Sequence, residues 1–94
     1  MQCPCEAGVS VDALGCLCRE AEGLRSRLVR IDADQARCQN PALCRRLQRE
    51  SEQLFLRLAE LRRLGQWLQS APVAVDRLTL SLFQELCRRP LPSS

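Results

Sequence analysis

Two pairs of thiols stand near the start of the sequence, Cys3-Pro4-Cys5 and Cys16-Leu17-Cys18, and they are the residues best equipped for chemistry. Thiolates bind soft and borderline metals, and four of them complete a tetrahedral zinc site or a Cu(I) site. Cys3, Cys5, Cys16 and Cys18 are therefore the candidate metal ligands, with Zn or Cu(I) as the ion. The spacing sets a condition. Successive helical residues are rotated by about 100°, so within a helix Cys16 and Cys18 project about 200° apart, and they share one ion only if the helix starts after them. The competing reading is packing, because cysteine often serves as a small buried apolar filler. It suits Cys38 and Cys44 on apolar seams and Cys87 beside Leu86. Seven cysteines is an odd number, and the opening Met1-Gln2-Cys3-Pro4-Cys5-Glu6 has neither the basic start nor the apolar stretch of a secretory signal. Both features predict free thiols in a reducing cytoplasm rather than a disulfide framework.

Other chemistry is poorly supplied. The sequence contains no His, which removes the commonest general base and the usual partner of a Ser or Cys nucleophile. Asp32 and Asp34 form a close acidic pair near a helix end, where two solvated carboxylates are the simple reading, and no glycine-rich phosphate loop is present. No combination supplies nucleophile, base and oxyanion donors together, so an enzyme is not expected. All fourteen basic residues are Arg, and the net charge is +3. Residues 38–70 carry six Arg against three acids, including Arg45, Arg46, Arg49, Arg62 and Arg63. Acids interleave with them and only 3% of the residues are aromatic, so a solvated helix face is expected rather than a nucleic-acid groove. Charged residues interrupt every long apolar stretch, which excludes a membrane-spanning helix.

The elements that position these residues follow from periodicity. After a Cys/Pro/Gly segment over residues 1–9, Leu14, Leu17, Ala21, Leu24, Leu28, Ile31 and Cys38 recur in steps of three and four, with Gln35 the polar member of the seam. This predicts a helix near 11–37, with Ser10 as N-cap and Asp12 in the first turn. Asn40-Pro41 is a start signal for a second helix, near 41–69. There Leu47, Leu54, Leu61 and Leu68 recur every seven residues, with Cys44, Ser51, Leu58 and Gly65 on the companion position. Leu43, Phe55 and Leu64 widen the stripe, and the small Ser51 and Gly65 leave room for a neighbouring helix. Arg46 with Glu50, Arg57 with Glu60, and Glu60 with Arg63 are spaced for helix-supporting ion pairs. Ser70-Ala71-Pro72 breaks this helix. Val75, Leu78, Leu82, Phe83 and Leu86 then fit one face of a third helix near 73–88, although Leu78 to Leu82 also alternate as a strand does. Pro90 ends it, leaving residues 90–94 as a flexible tail.

Two stretches carry a family likeness. Glu6 to Cys18, reading EAGVSVDALGCLC, resembles the short helix after the DNA-binding portion of MerR-type regulators, and Leu54 to Leu68, reading LFLRLAELRRLGQWL, is similar to their antiparallel dimerisation helix. The resemblance implies dimerisation and thiophilic metal sensing, with Cys38 or Cys44 in the position of the family's metal-binding cysteines. The winged helix-turn-helix of that family has no counterpart here, so DNA binding is not implied.

The resulting expectation is one all-α domain over residues 10–89: a long antiparallel hairpin with a third helix packed on it. A chain this short buries a marginal core, which makes a partner chain a natural complement. The expected function is non-enzymatic association with protein, either a second copy or an amphipathic helix of another chain, as a dimer, adaptor or chaperone. Leu47, Leu54, Leu58, Leu61, Leu64, Trp67 and Leu68 are the candidate partner-binding residues, and each has an alternative place in the chain's own core. Trp67 and Leu56 fall off the main seam, on a face otherwise rich in Arg and Gln, where an aromatic residue can anchor the third helix or a partner. Thiolate metal binding is the second expectation.

Overall fold

A computed structural model describes residues 11–72 and 74–92, with all of their side chains except that of Val11. Cys3, Cys5 and the expected cap Ser10 lie outside the described residues. The described chain is all-α, with α1 over Val11–Arg37, α2 over Pro41–Ser70 and α3 over Arg77–Arg88.

Local chemistry sets the helix ends. The Asn40 side chain accepts hydrogen bonds from the amides of Ala42 and Leu43 at 2.9 and 3.3 Å, while Pro41 occupies the first turn, where its missing N–H costs nothing. Ala71 turns extended and its N–H closes on the Trp67 carbonyl at 2.8 Å. The third helix starts at Arg77, four residues later than the periodicity predicts. Asp76 is the reason: its carboxylate accepts from the Thr79 amide at 2.9 Å and from the Thr79 hydroxyl, fixing the N-cap there. Val75, expected within the helix, precedes it and packs half-buried against the core.

Each helix packs against both of the others. Contacts between α1 and α2 run in opposite chain directions: Glu20 meets Arg57, Arg27 meets Glu50, and Gln35 meets Gln48. The core lies where all three overlap and contains Leu14, Cys18, Ala21 and Leu28 of α1, Leu58, Leu61 and Leu68 of α2, and Leu80, Phe83, Leu86 and Cys87 of α3. Phe83 is fully buried, and its ring lies over Gly65, the small residue that admits α3. Gln84 fastens the same crossing by donating to the Gly65 carbonyl at 3.1 Å and to the Gln69 side chain at 3.0 Å. Arg25 holds the other end of α3, donating to the carbonyls of Leu86, Arg89 and Pro90, and Leu91 packs against the core within the stretch expected as a tail. With 12 residues against 30 in α2, α3 leaves the far part of the α1–α2 pair as two helices, and the molecule measures 51 × 28 × 16 Å.

Candidate protein-interaction site

The seven candidate partner-binding residues of α2 divide into three groups. Leu58, Leu61 and Leu68 are buried in the chain's own core, facing α1 and α3. Leu47, Leu54 and Leu64 are half-buried, and the last two pack against that core. Trp67 is 56% exposed. Leu56, off the seam, is 68% exposed. At about 100° per residue, the eleven positions from Leu56 to Trp67 complete three turns, so both side chains lie on the outer face of α2, away from the buried leucines.

Two charged residues lie between them on the same arc, Glu60 and Arg63, both exposed. Glu60 pairs with Arg57 at 3.0 Å, and Arg57 also bridges to Glu20 of α1 at 2.6 Å. The double hydrogen bond from Arg57 holds the Glu20 carboxyl below its usual pKa. Arg63 makes no ion pair among the described residues, so the spacing to Glu60 is not used within the chain. Arg46 is likewise not the partner of Glu50, which pairs with Arg27 of α1 at 2.6 Å. The outer stripe of α2 thus reads Leu56, Glu60, Arg63, Trp67: apolar, acidic, basic, apolar.

A second exposed pair, Leu78 and Leu82, lies one turn apart on α3 at 82% and 54% exposure. The cleft between α2 and α3 is lined by Gln66, Gln69, Leu82, Glu85 and Arg88. Its carboxylate, Glu85, is paired to Arg88 at 2.8 Å and to Arg89 at 3.6 Å, and the Arg88 hydrogen bond lowers its pKa.

The thiols separate according to helix geometry. Cys16 and Cys18 both lie within α1, where Cys16 is exposed and accepts from Arg19 at 3.2 Å while Cys18 is buried. The condition for sharing an ion, a helix beginning after them, is not met. Among the described residues no three Cys, His, Asp or Glu side chains gather in a way that could hold a metal ion. Cys18 instead faces Cys87 across the α1–α3 contact, and burial pushes both thiols up in pKa, Cys18 further through the charge of Glu22 and Cys87 through Cys18. Cys38 and Cys44 are half-exposed and meet at the turn between α1 and α2 rather than filling the seam. No helix among the described residues is long and apolar enough to cross a membrane.

Comparison of the chain with protein-family models, curated proteins and solved structures finds no match.

Proposed function

We infer that this chain is a non-enzymatic protein-association module and that the outer face of α2 joins it to a second copy of itself. The observation that carries the reading is the symmetry of the exposed stripe. Leu56, Glu60, Arg63 and Trp67 are spaced evenly about a point between Leu61 and Arg62. Two α2 helices laid antiparallel about a two-fold axis at that point bring Leu56 of each copy onto Trp67 of the other, and Glu60 of each onto Arg63 of the other. A two-fold interface requires this kind of self-complementary patch. Tryptophan is a frequent anchor of such contacts, and the pairing gives Arg63 the carboxylate that it lacks among the described residues. Two of the three aromatic residues, Phe55 and Trp67, stand at 49% and 56% exposure, a costly arrangement for a small chain unless a further surface covers them.

Sedimentation equilibrium across a concentration series tests the reading, with Glu60→Arg, Arg63→Glu and the double exchange as variants. The expected wild-type mass is twice the 10.6 kDa of the chain. Each single reversal sets two like-charge pairs across the axis and raises the dissociation constant by about tenfold or more. The double exchange restores opposite charges and recovers association. Trp67 is the sole tryptophan, so its emission should shift to the blue as dimer forms. A 10.6 kDa mass at every concentration overturns the proposal.

A further inference from the structure

We propose that Cys38 and Cys44 form a dithiol–disulfide site that is oxidised by small-molecule disulfides such as oxidised glutathione, closing a covalent ring across the turn between α1 and α2. The geometry assembles both thiols around one short stretch of backbone. Cys38 leaves α1 and donates its thiol to the Asn40 carbonyl at 3.4 Å. The same carbonyl accepts the Cys44 amide at 2.9 Å, and the Cys44 thiol reaches back to the Cys38 carbonyl at 3.8 Å. Both thiols therefore belong to one turn, where the neighbouring Cys38 raises the pKa of Cys44. Asn40 and Pro41 fix the turn, so the pair is held by helix capping rather than by chance encounter.

The other described thiols lack this combination. Cys18 and Cys87 are buried, and burial favours their unreactive protonated forms. Cys16 is exposed, and its thiol contact is with Arg19 rather than with a second cysteine. Only at the α1–α2 turn are two accessible thiols gathered on one short stretch of backbone among the described residues.

The exchange balances in two steps. The Cys38 thiolate attacks one sulfur of the small disulfide, forming a protein–glutathione disulfide and releasing one glutathione thiolate. Cys44, whose pKa is raised, then gives its proton to solvent, attacks the Cys38 sulfur and expels the second glutathione thiolate. The protein loses two electrons and two thiol protons, and one disulfide becomes two thiols.

Cleavage after Arg37 and Arg45 yields a single peptide, CQNPALCR, that contains both cysteines, so the ring is read directly by mass spectrometry. The full chain is equilibrated in a series of reduced and oxidised glutathione mixtures, alkylated and digested. The expected result is that this peptide appears two hydrogens lighter and unalkylated while Cys18 and Cys87 are still fully alkylated after denaturation. The same titration in concentrated guanidinium chloride should need about tenfold or more oxidised glutathione to close the ring, because the fold no longer holds the thiols together. Cys44→Ser should stop the reaction at a glutathione adduct on Cys38. Separate adducts on both cysteines of the wild type, or ring closure as easy in denaturant as in the native chain, overturns the proposal.

Discussion

Gly65 and Gly23 carry the same helix-propensity cost, yet alanine at the two positions should move stability in opposite directions. A Cβ on Gly23 meets nothing within 4 Å, so Gly23→Ala is expected to stabilise by about 1 kcal/mol through reduced backbone entropy. A Cβ on Gly65 comes within 3.3 Å of both the Phe83 ring and the Gln84 side chain. Phe83 is fully buried and cannot shift without disturbing the helix crossing, so the contact outweighs the propensity gain and Gly65→Ala should lower the denaturant midpoint. A rise in midpoint at both positions would show that α3 can retreat from α2. Leu61, 1% exposed, supports a sharper test. Leu61→Asp buries an unpaired carboxylate and should cost more than about 4 kcal/mol, leaving a largely unfolded chain by circular dichroism. A folded monomer from that variant would instead make Leu61 an interface residue.

At the scale of elements, α1 and α2 were readable because each combines a long three-four periodicity with a strong start or stop, and Asn40-Pro41 serves both purposes. The start of α3 was less readable. Asp76 and Thr79 form a capping pair in which the acid precedes the hydroxyl, while Pro72 offers a competing start four residues earlier. The site was legible only in part. Heptad spacing marks which residues turn toward some neighbour, but it does not distinguish α1 and α3 from a second chain, so Leu58, Leu61 and Leu68 share one pattern with true surface candidates. Trp67 and Leu56 could be picked out because they depart from that seam. Arg25 carried no signal, since its partners are backbone carbonyls more than sixty residues away. It caps the carbonyl end of α3, a helix whose 12 residues are too few to persist alone in water. Arg25→Met keeps the apolar stem and removes the donors, so a loss of about 1 kcal/mol is expected, with hydrogen exchange accelerating first in the last turn of α3. Exchange that accelerates equally through all three helices would assign Arg25 to global packing instead.

For the whole molecule, the distribution of titrating groups predicts a flat-topped dependence of stability on pH. Glu20, Asp76 and Glu85 all have lowered pKa values, through hydrogen bonds from Arg57, Thr79 and Arg88 respectively. Near pH 4 the unfolded chain therefore binds more protons than the folded one, and stability rises with pH there. That contribution is complete above the ordinary carboxylate range and is lost as pH falls through the folded values. Cys18 and Cys87 set the opposite edge. Burial raises both above the ordinary thiol value of 9.0, so above that pH the folded chain holds more protons, and stability falls as pH rises toward the folded values. Between about pH 5 and 8 no histidine titrates, because the chain has none. Guanidinium unfolding under reducing conditions across pH 3 to 10 should give a plateau with two falling edges. Cys18→Ala together with Cys87→Ala should lower the plateau, because two buried side chains are truncated, and should also flatten the alkaline edge. If the alkaline edge persists unchanged in that variant, the buried thiols do not set it and the raised pKa of Cys44 at the α1–α2 turn becomes the source to examine.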